Sequence, residues 1–206
     1  AQYALLRPEF AELRKASLAR RDGALARLLV FMGGGDAGNE TCKALRGVAL
    51  SGRTPATTDV VIGSSNPHRQ QVERACAALP GARLHVQTER MAELMAAADC
   101  AVGAAGTTTW ERCALGLPAL VVALADNQIE IAQTIDAAGA HRFLGWGEQL
   151  TEADYARALD ALDAPALAAM SRAGAQICDG LGAERVAARL AGAAGARARA
   201  GSGTHG

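Results

Sequence analysis

Gly106 is followed by Thr107, Thr108 and Thr109, with Glu111 one helical turn further on and the amides Asn127 and Gln128 downstream. Hydroxyls beside a glycine turn at a helix start suit an anion. Unpaired backbone N–H groups and the helix dipole attract phosphate, and each hydroxyl adds a donor. A carboxylate one turn into the helix can accept from both hydroxyls of a ribose. The same spelling, Thr108-x-x-Glu111, is also a capping box that merely starts a helix. The residues alone leave both readings of Glu111 open.

Two apolar runs position this set. Cys100 to Val102 reads as a buried strand, Gly103 and Gly106 permit tight turns and close ligand approach, and Trp110 to Leu117 reads as helix. Gly116 ends that helix and Pro118 stops it from resuming. Leu120 to Leu124 is a second strand, running into Asp126-Asn127-Gln128. Two strand-to-helix turns then share one end of neighbouring parallel strands, where open α/β sheets bind ligands.

A second glycine-rich turn lies upstream. Leu25 to Met32 reads as a strand entering Gly33-Gly34-Gly35-Asp36-Ala37-Gly38, with a helix from about Asn39 to Leu50. Gly33, Gly35 and Gly38 satisfy the dinucleotide fingerprint G-x-G-x-x-G, which calls for an acidic residue at the far end of the next strand. That strand, Asp59 to Ile62, carries its acid at the beginning and exits through Gly63-Ser64-Ser65-Asn66. Nicotinamide and flavin binding are therefore disfavoured and no cofactor is expected. Gly34, Gly35, Ser64 and Asn66 remain candidate ligand contacts on the same edge.

The other elements follow the same alternation. Helices are expected from Pro8, over Pro67–Leu79, Met91–Ala98 and Gln128–Ala138, after Thr151-x-x-Asp154, and from Pro165 to about Ala191. Short strands are expected over Arg83–Val86 and Ala140–Leu144. Met91, Leu94 and Met95 read as a core-facing stripe. Strands alternating with helices of this length imply βαβ units: a Rossmann-like parallel α/β sheet with helices on both faces. Residues 1–24 read as a lead-in from an upstream domain, since the chain opens on Ala1 in what looks like mid-protein. Residues 25–191 form the domain, and 192–206, rich in Ala, Gly and Arg, a disordered tail.

Half of the 206 residues are hydrophobic, enough for a full core, and the formal net charge is zero. No basic field points to nucleic acid, and 3% aromatic content offers few stacking platforms. Cys42, Cys76, Cys100, Cys113 and Cys178 are odd in number and scattered without zinc-ligand spacing, as reduced core thiols of a cytoplasmic protein would be. No apolar run reaches the ~18 residues of a membrane span. His68 opens a helix near the ligand edge, and His85 and His141 read as structural. No catalytic triad, metal-ligand set or carboxylate pair is spelled out, so the chain reads as a binding half without its own catalytic centre.

Ala-Ala-Gly-Thr-Thr-Thr-Trp-Glu-Arg-Cys-Ala-Leu-Gly-Leu-Pro (104–118), Asn127-Gln128, Tyr-Ala-Leu-Leu-Arg-Pro-Glu-Phe (3–10), Met32-Gly-Gly-Gly-Asp and Met91-Ala-Glu-Leu-Met-Ala-Ala-Ala-Asp together resemble one family. It is the UDP-2,4-diacetamido-2,4,6-trideoxy-β-L-altropyranose hydrolases of pseudaminic acid biosynthesis. More distantly, the chain is similar to the C-terminal domain of the GT-B glycosyltransferase that makes lipid II. The resemblance implies the C-terminal half of a GT-B architecture and a UDP-sugar substrate. Gly106 to Thr109 would hold the diphosphate, Glu111 the ribose, and Asn127 and Gln128 the sugar or its phosphate. It also implies metal-independent hydrolysis, with the catalytic histidine on a missing N-terminal domain of the same protein. This chain alone would then bind UDP without turnover. A glycosyltransferase donor domain, or a binding module with no reaction, are the alternatives.

Overall fold

Short, mostly apolar runs make up the six strands; the central ones are hidden between helices, while the two edge strands, Ala82–Val86 and Arg142–Trp146, stay partly exposed. The computed structural model describes residues 1–201, with side chains through Ala191. The strands are β1 (Arg27–Phe31), β2 (Thr57–Ile62), β3 (Ala82–Val86), β4 (Cys100–Ala104), β5 (Ala119–Ala123) and β6 (Arg142–Trp146). All pair in parallel, in the order β3-β2-β1-β4-β5-β6. Every residue of β4 and β5 is buried, as befits central strands covered on both faces.

Nine helices are assigned among the described residues: α1 (Pro8–Ala19), α2 (Glu40–Leu50), α3 (Arg69–Ala78), α4 (Met91–Ala97), α5 (Thr108–Ala114), α6 (Ile129–Ala137), α7 (Glu152–Asp160), α8 (Ala164–Ile177) and α9 (Gly182–Gly201). Strand periodicity assigns the two cores. Leu28 and Val30 of β1, Cys100 and Val102 of β4, and Leu120 and Val122 of β5 face Leu45, Val48, Val72 and Tyr155. Leu29, Ala101 and Val121 alternate with them and face Phe10, Met91, Met95 and Ala132. The methionine stripe is therefore core, as expected. No described helix is long and apolar enough to cross a membrane.

Local chemistry sets the helix ends. Pro8 and Pro165 occupy first-turn positions. Thr151 and Asp154 form a capping box, the Thr151 amide donating to Asp154 Oδ2 at 2.7 Å. Gly116, at φ +57°, closes α5 in a Schellman turn: Leu117 N donates to Arg112 O at 2.9 Å and Gly116 N to Cys113 O at 3.1 Å.

Three expectations are corrected. The single helix from Pro165 to Ala191 is two helices. Gly180, at φ +84°, breaks it where Asp179 Oδ1 takes the Leu181 amide at 3.0 Å. β6 starts at Arg142 rather than Ala140, because Ala140 N is held by Ile135 O at 3.1 Å in the turn that closes α6. α9 runs past Gly192 to Gly201, consistent with the strong helix propensity of Ala and Arg. The rest of the expected tail, 202–206 with His205, lies outside the described residues.

Candidate functional site

The strand order reverses direction between β1 and β4, so the chain leaves their C-terminal ends toward opposite sides and opens a crevice there. The turns after β1 and β4 form its walls. Glycine geometry separates structural from available positions. A Cβ on Gly63 would come 2.6 Å from Gly34 O, and one on Gly103 would come 2.6 Å from Phe31 O. These two are glycine because backbones meet. A Cβ on Gly34, Gly35, Gly38 or Gly106 would meet nothing within 4 Å, and none of the four has a left-handed φ. Neither packing nor conformation requires glycine at those four, so they leave room on the crevice side.

In the first turn a side chain of the protein already occupies the helix start. Asp36, 6% exposed, accepts from Glu40 N through Oδ1 and from Thr41 N through Oδ2, both at 2.9 Å. Its carboxylate takes the first amides of α2, the place a pyrophosphate occupies in a dinucleotide fold. Gly34 O accepts from Gly63 N at 3.2 Å, tying this turn to the exit of β2.

The second turn is left unanswered. The amides of Gly106, Thr107 and Thr108 find no acceptor among the described residues. Thr107 is the exposed N-cap and makes no side-chain capping bond, and Thr108 lies inside the helix. The Thr108–Glu111 capping box is therefore not formed. Glu111 is half-buried, and its carboxylate makes no hydrogen bond or ion pair among the described residues. Burial pushes its pKa above the usual carboxylate value, and the charges of Arg7 and Arg112 oppose that rise. Thr109 goes elsewhere: it is 1% exposed, and its hydroxyl accepts from Arg112 at 3.0 Å, inside the fold.

Asn127 is exposed on a 3₁₀ turn, Asp126–Gln128, beyond β5. Gln128 is anchored: its Oε1 accepts from Leu124 N at 2.9 Å, which leaves its amide NH₂ for the neighbouring space. That space is a cavity of about 410 Å³ lined by Met32, Asp36, Gly38, Leu124, Gln128 and Trp146. Ser64 and Asn66 stand apart, beyond the β1 turn. The Ser64 amide donates to Gln87 Oε1 at 3.3 Å, and Asn66 Oδ1 accepts from His68 N at 2.8 Å while its buried Nδ2 has no partner among the described residues. His68 itself reaches Ala37 O at 2.8 Å.

Residue-by-residue reading missed the cavity's supports. Glu40, 2% exposed, accepts from the Tyr155 hydroxyl at 2.9 Å and from Lys43 Nζ at 2.5 Å, and Lys43 also donates to Gly147 O at 2.8 Å. Burial and the adjacent Glu40 push the Tyr155 hydroxyl far above its ordinary pKa, so it donates at every physiological pH. The available signal was Trp146, an aromatic at the C-terminal end of a strand and hence on the ligand edge.

Known proteins resemble this chain in sequence and in fold. The model of the glycosyltransferase family 28 C-terminal domain matches residues 60–181. The spore coat polysaccharide biosynthesis protein SpsG of Bacillus subtilis is 30% identical over 194 residues, which cover 91% of this chain and 56% of that protein. Among solved structures, Acinetobacter baumannii MurG superposes with a TM-score of 0.69 at 17% identity, over 84% of this chain and 51% of that one. Os79 of O. sativa, crystallised with UDP, superposes at 0.65 with 14% identity, over 91% and 48%. The chain thus spans about half the length of these relatives, and the two structural likenesses speak for the fold. The motif match, reaching from β2 through both turns of β4 and β5 to the end of α8, places the chain in the glycosyltransferase family 28 C-terminal domain family.

Proposed function

We propose that the chain is the nucleotide-sugar-binding half of a two-domain enzyme. UDP lies with its diphosphate between Gly34–Gly35 and Gly106–Thr108, its ribose on Glu111 and its sugar toward Asn127 and Gln128. The observation that carries this reading is the β4–α5 turn: three amides without acceptors, a glycine with open space, and a half-buried carboxylate without a partner. A diphosphate and a ribose diol supply the complementary acceptors and donors. A leaving UDP needs its developing charge stabilised, and donors fixed before the reaction do that without reorganisation. Thr109 is read as a support for this turn, since its hydroxyl is committed to Arg112. Ser64 and Asn66 are read as an outer contact reached through the Gly34–Gly63 link.

For the whole protein, the Trp110–Gly116 block supports hydrolysis of UDP-2,4-diacetamido-2,4,6-trideoxy-β-L-altropyranose in pseudaminic acid biosynthesis, with the attacking water activated by an N-terminal domain. The family match supports the second reading, transfer of the sugar to a hydroxyl acceptor. Calorimetric titration of the chain with UDP and with NAD tests the half-site: UDP binds and NAD does not. Failure of UDP to bind removes the reading. The complete protein, given nucleotide-sugar in water without an acceptor, separates the two reactions, since only a hydrolase releases UDP at its full rate.

A further inference from the structure

Arg112 is 3% exposed, yet it carries a full charge without a carboxylate in ion-pair range among the described residues. Its guanidinium Nη2 donates to Ala104 O at 3.1 Å and Thr109 Oγ1 at 3.0 Å, and Nη1 donates to Thr108 Oγ1 at 3.2 Å. Every acceptor is neutral. Arg14 and Arg21 also bond only neutral oxygens, but both are partly exposed to water, whereas Arg112 is the one arginine buried among the described residues. Burial brings the Arg112 pKa down to about 10, which leaves it protonated at neutral pH. A buried cation with no counter-charge is costly, and hydrogen bonds to neutral groups recover only part of that cost.

The position of those acceptors gives the cost a purpose. Ala104 ends β4, and Thr108 and Thr109 begin α5, so the guanidinium sits directly beneath the turn with the open glycine. Thr108 accepts from Arg112, which commits an oxygen lone pair inward and leaves the hydroxyl proton to point out. We propose that Arg112 is a positioning residue for a nucleoside diphosphate: it supplies the missing counter-charge from below and turns the Thr108 hydroxyl into an outward donor. This rests on the UDP reading above. The bound diphosphate completes an ion pair that the polypeptide leaves half-made.

The test compares UDP with uridine, which lacks the phosphates, by competition titration on the intact chain. Arg112→Gln is expected to weaken UDP about tenfold while uridine affinity holds. Arg112→Lys keeps the charge and is expected to hold the UDP-to-uridine ratio within about threefold of the parent. Thr108→Val lowers UDP affinity alone. If Arg112→Gln weakens both ligands equally, the residue is a structural support and the proposal falls. Should Arg112→Gln fail to fold, Arg112→Lys decides: a retained ratio supports the counter-charge, and a ratio collapsed to that of uridine overturns it. A parent chain that binds no UDP instead removes the half-site reading.

Discussion

The two ends of the sheet differ in how they treat their backbone amides and carboxylates, although Arg21 Nε, Arg27 Nε and Thr58 Oγ1 at the N-terminal end are also without partners among the described residues. At the N-terminal end, Asp99 alone answers the amides of Ala26 at 2.9 Å and Arg27 at 2.8 Å and the guanidinium of Arg20. Arg21 bonds Ser17 Oγ at 2.7 Å and Met95 O at 3.2 Å, and Ser17 Oγ donates to Leu115 O at 2.8 Å. At the C-terminal end, amides, a carboxylate and a buried guanidinium stand without complementary charge. Buried polar groups are ordinarily satisfied, and the proposed UDP would complete the set at this rim. One end holds the fold together, and the other carries the proposed UDP site.

The largest break in this contrast should come from Asp99→Ala. It strands two backbone donors and removes the acid beside Arg20, which keeps its bonds to Ala96 O and Ala98 O, and should cost about 3 kcal/mol of unfolding free energy by denaturant titration. UDP affinity of the folded fraction should not move. Next, the glycines of the two ends should respond in opposite ways. Gly81, at φ +77°, would drive a Cβ into Ala56 O at the start of β3, so Gly81→Ala should cost about 2 kcal/mol. Gly35→Ala meets open space; stability should stay within about 0.5 kcal/mol, because alanine also restricts the unfolded chain. Its effect should appear in UDP affinity instead. Equal stability losses from both glycines would erase the distinction between the ends.

The smallest effect sharpens the contrast through pH. Burial raises the Glu111 pKa in the folded state above its unfolded value. Its contribution to stability is therefore fully present below the ordinary carboxylate pKa and is lost as pH rises through the raised value. Glu111→Gln should melt about a degree or two higher at pH 7, with the gap closing below about pH 4, while UDP binding weakens. A lower Tm at pH 7 would restore a structural role to the carboxylate.

Sequence reading reached the fold because its signals are local. The runs around Val30, Val102 and Val121 are continuous where both faces are covered, and Gly116 with Pro118 spells a helix end. The Thr-rich turn was legible as a strand-to-helix turn for the same reason: its residues are adjacent. Asp36 was read as part of a glycine fingerprint because its capping depends on φ +42°, a backbone state no residue type announces. The Glu40–Tyr155 bond joins residues of α2 and α7 far apart in the chain, so only packing reveals it. Thr109 and Thr108 are chemically alike and adjacent, yet one is buried and the other only partly so; the helix rotation between them decides, and composition cannot. Gly180 ended a helix inside an alanine-rich stretch that reads equally well as uninterrupted.

The five cysteines have a practical consequence for kinetics. All are free and buried, and burial pushes the thiols of Cys76 and Cys113 up to about 11 and that of Cys100 up to about 12. Alkylating reagents attack only an exposed thiolate, so in the native chain they wait on transient openings. Cys100 starts β4 and Cys113 lies in the last turn of α5, both at the end of these elements away from the crevice turn. Their labelling rates, followed by mass spectrometry, are a clock already built into the chain for how often that part of the core comes apart.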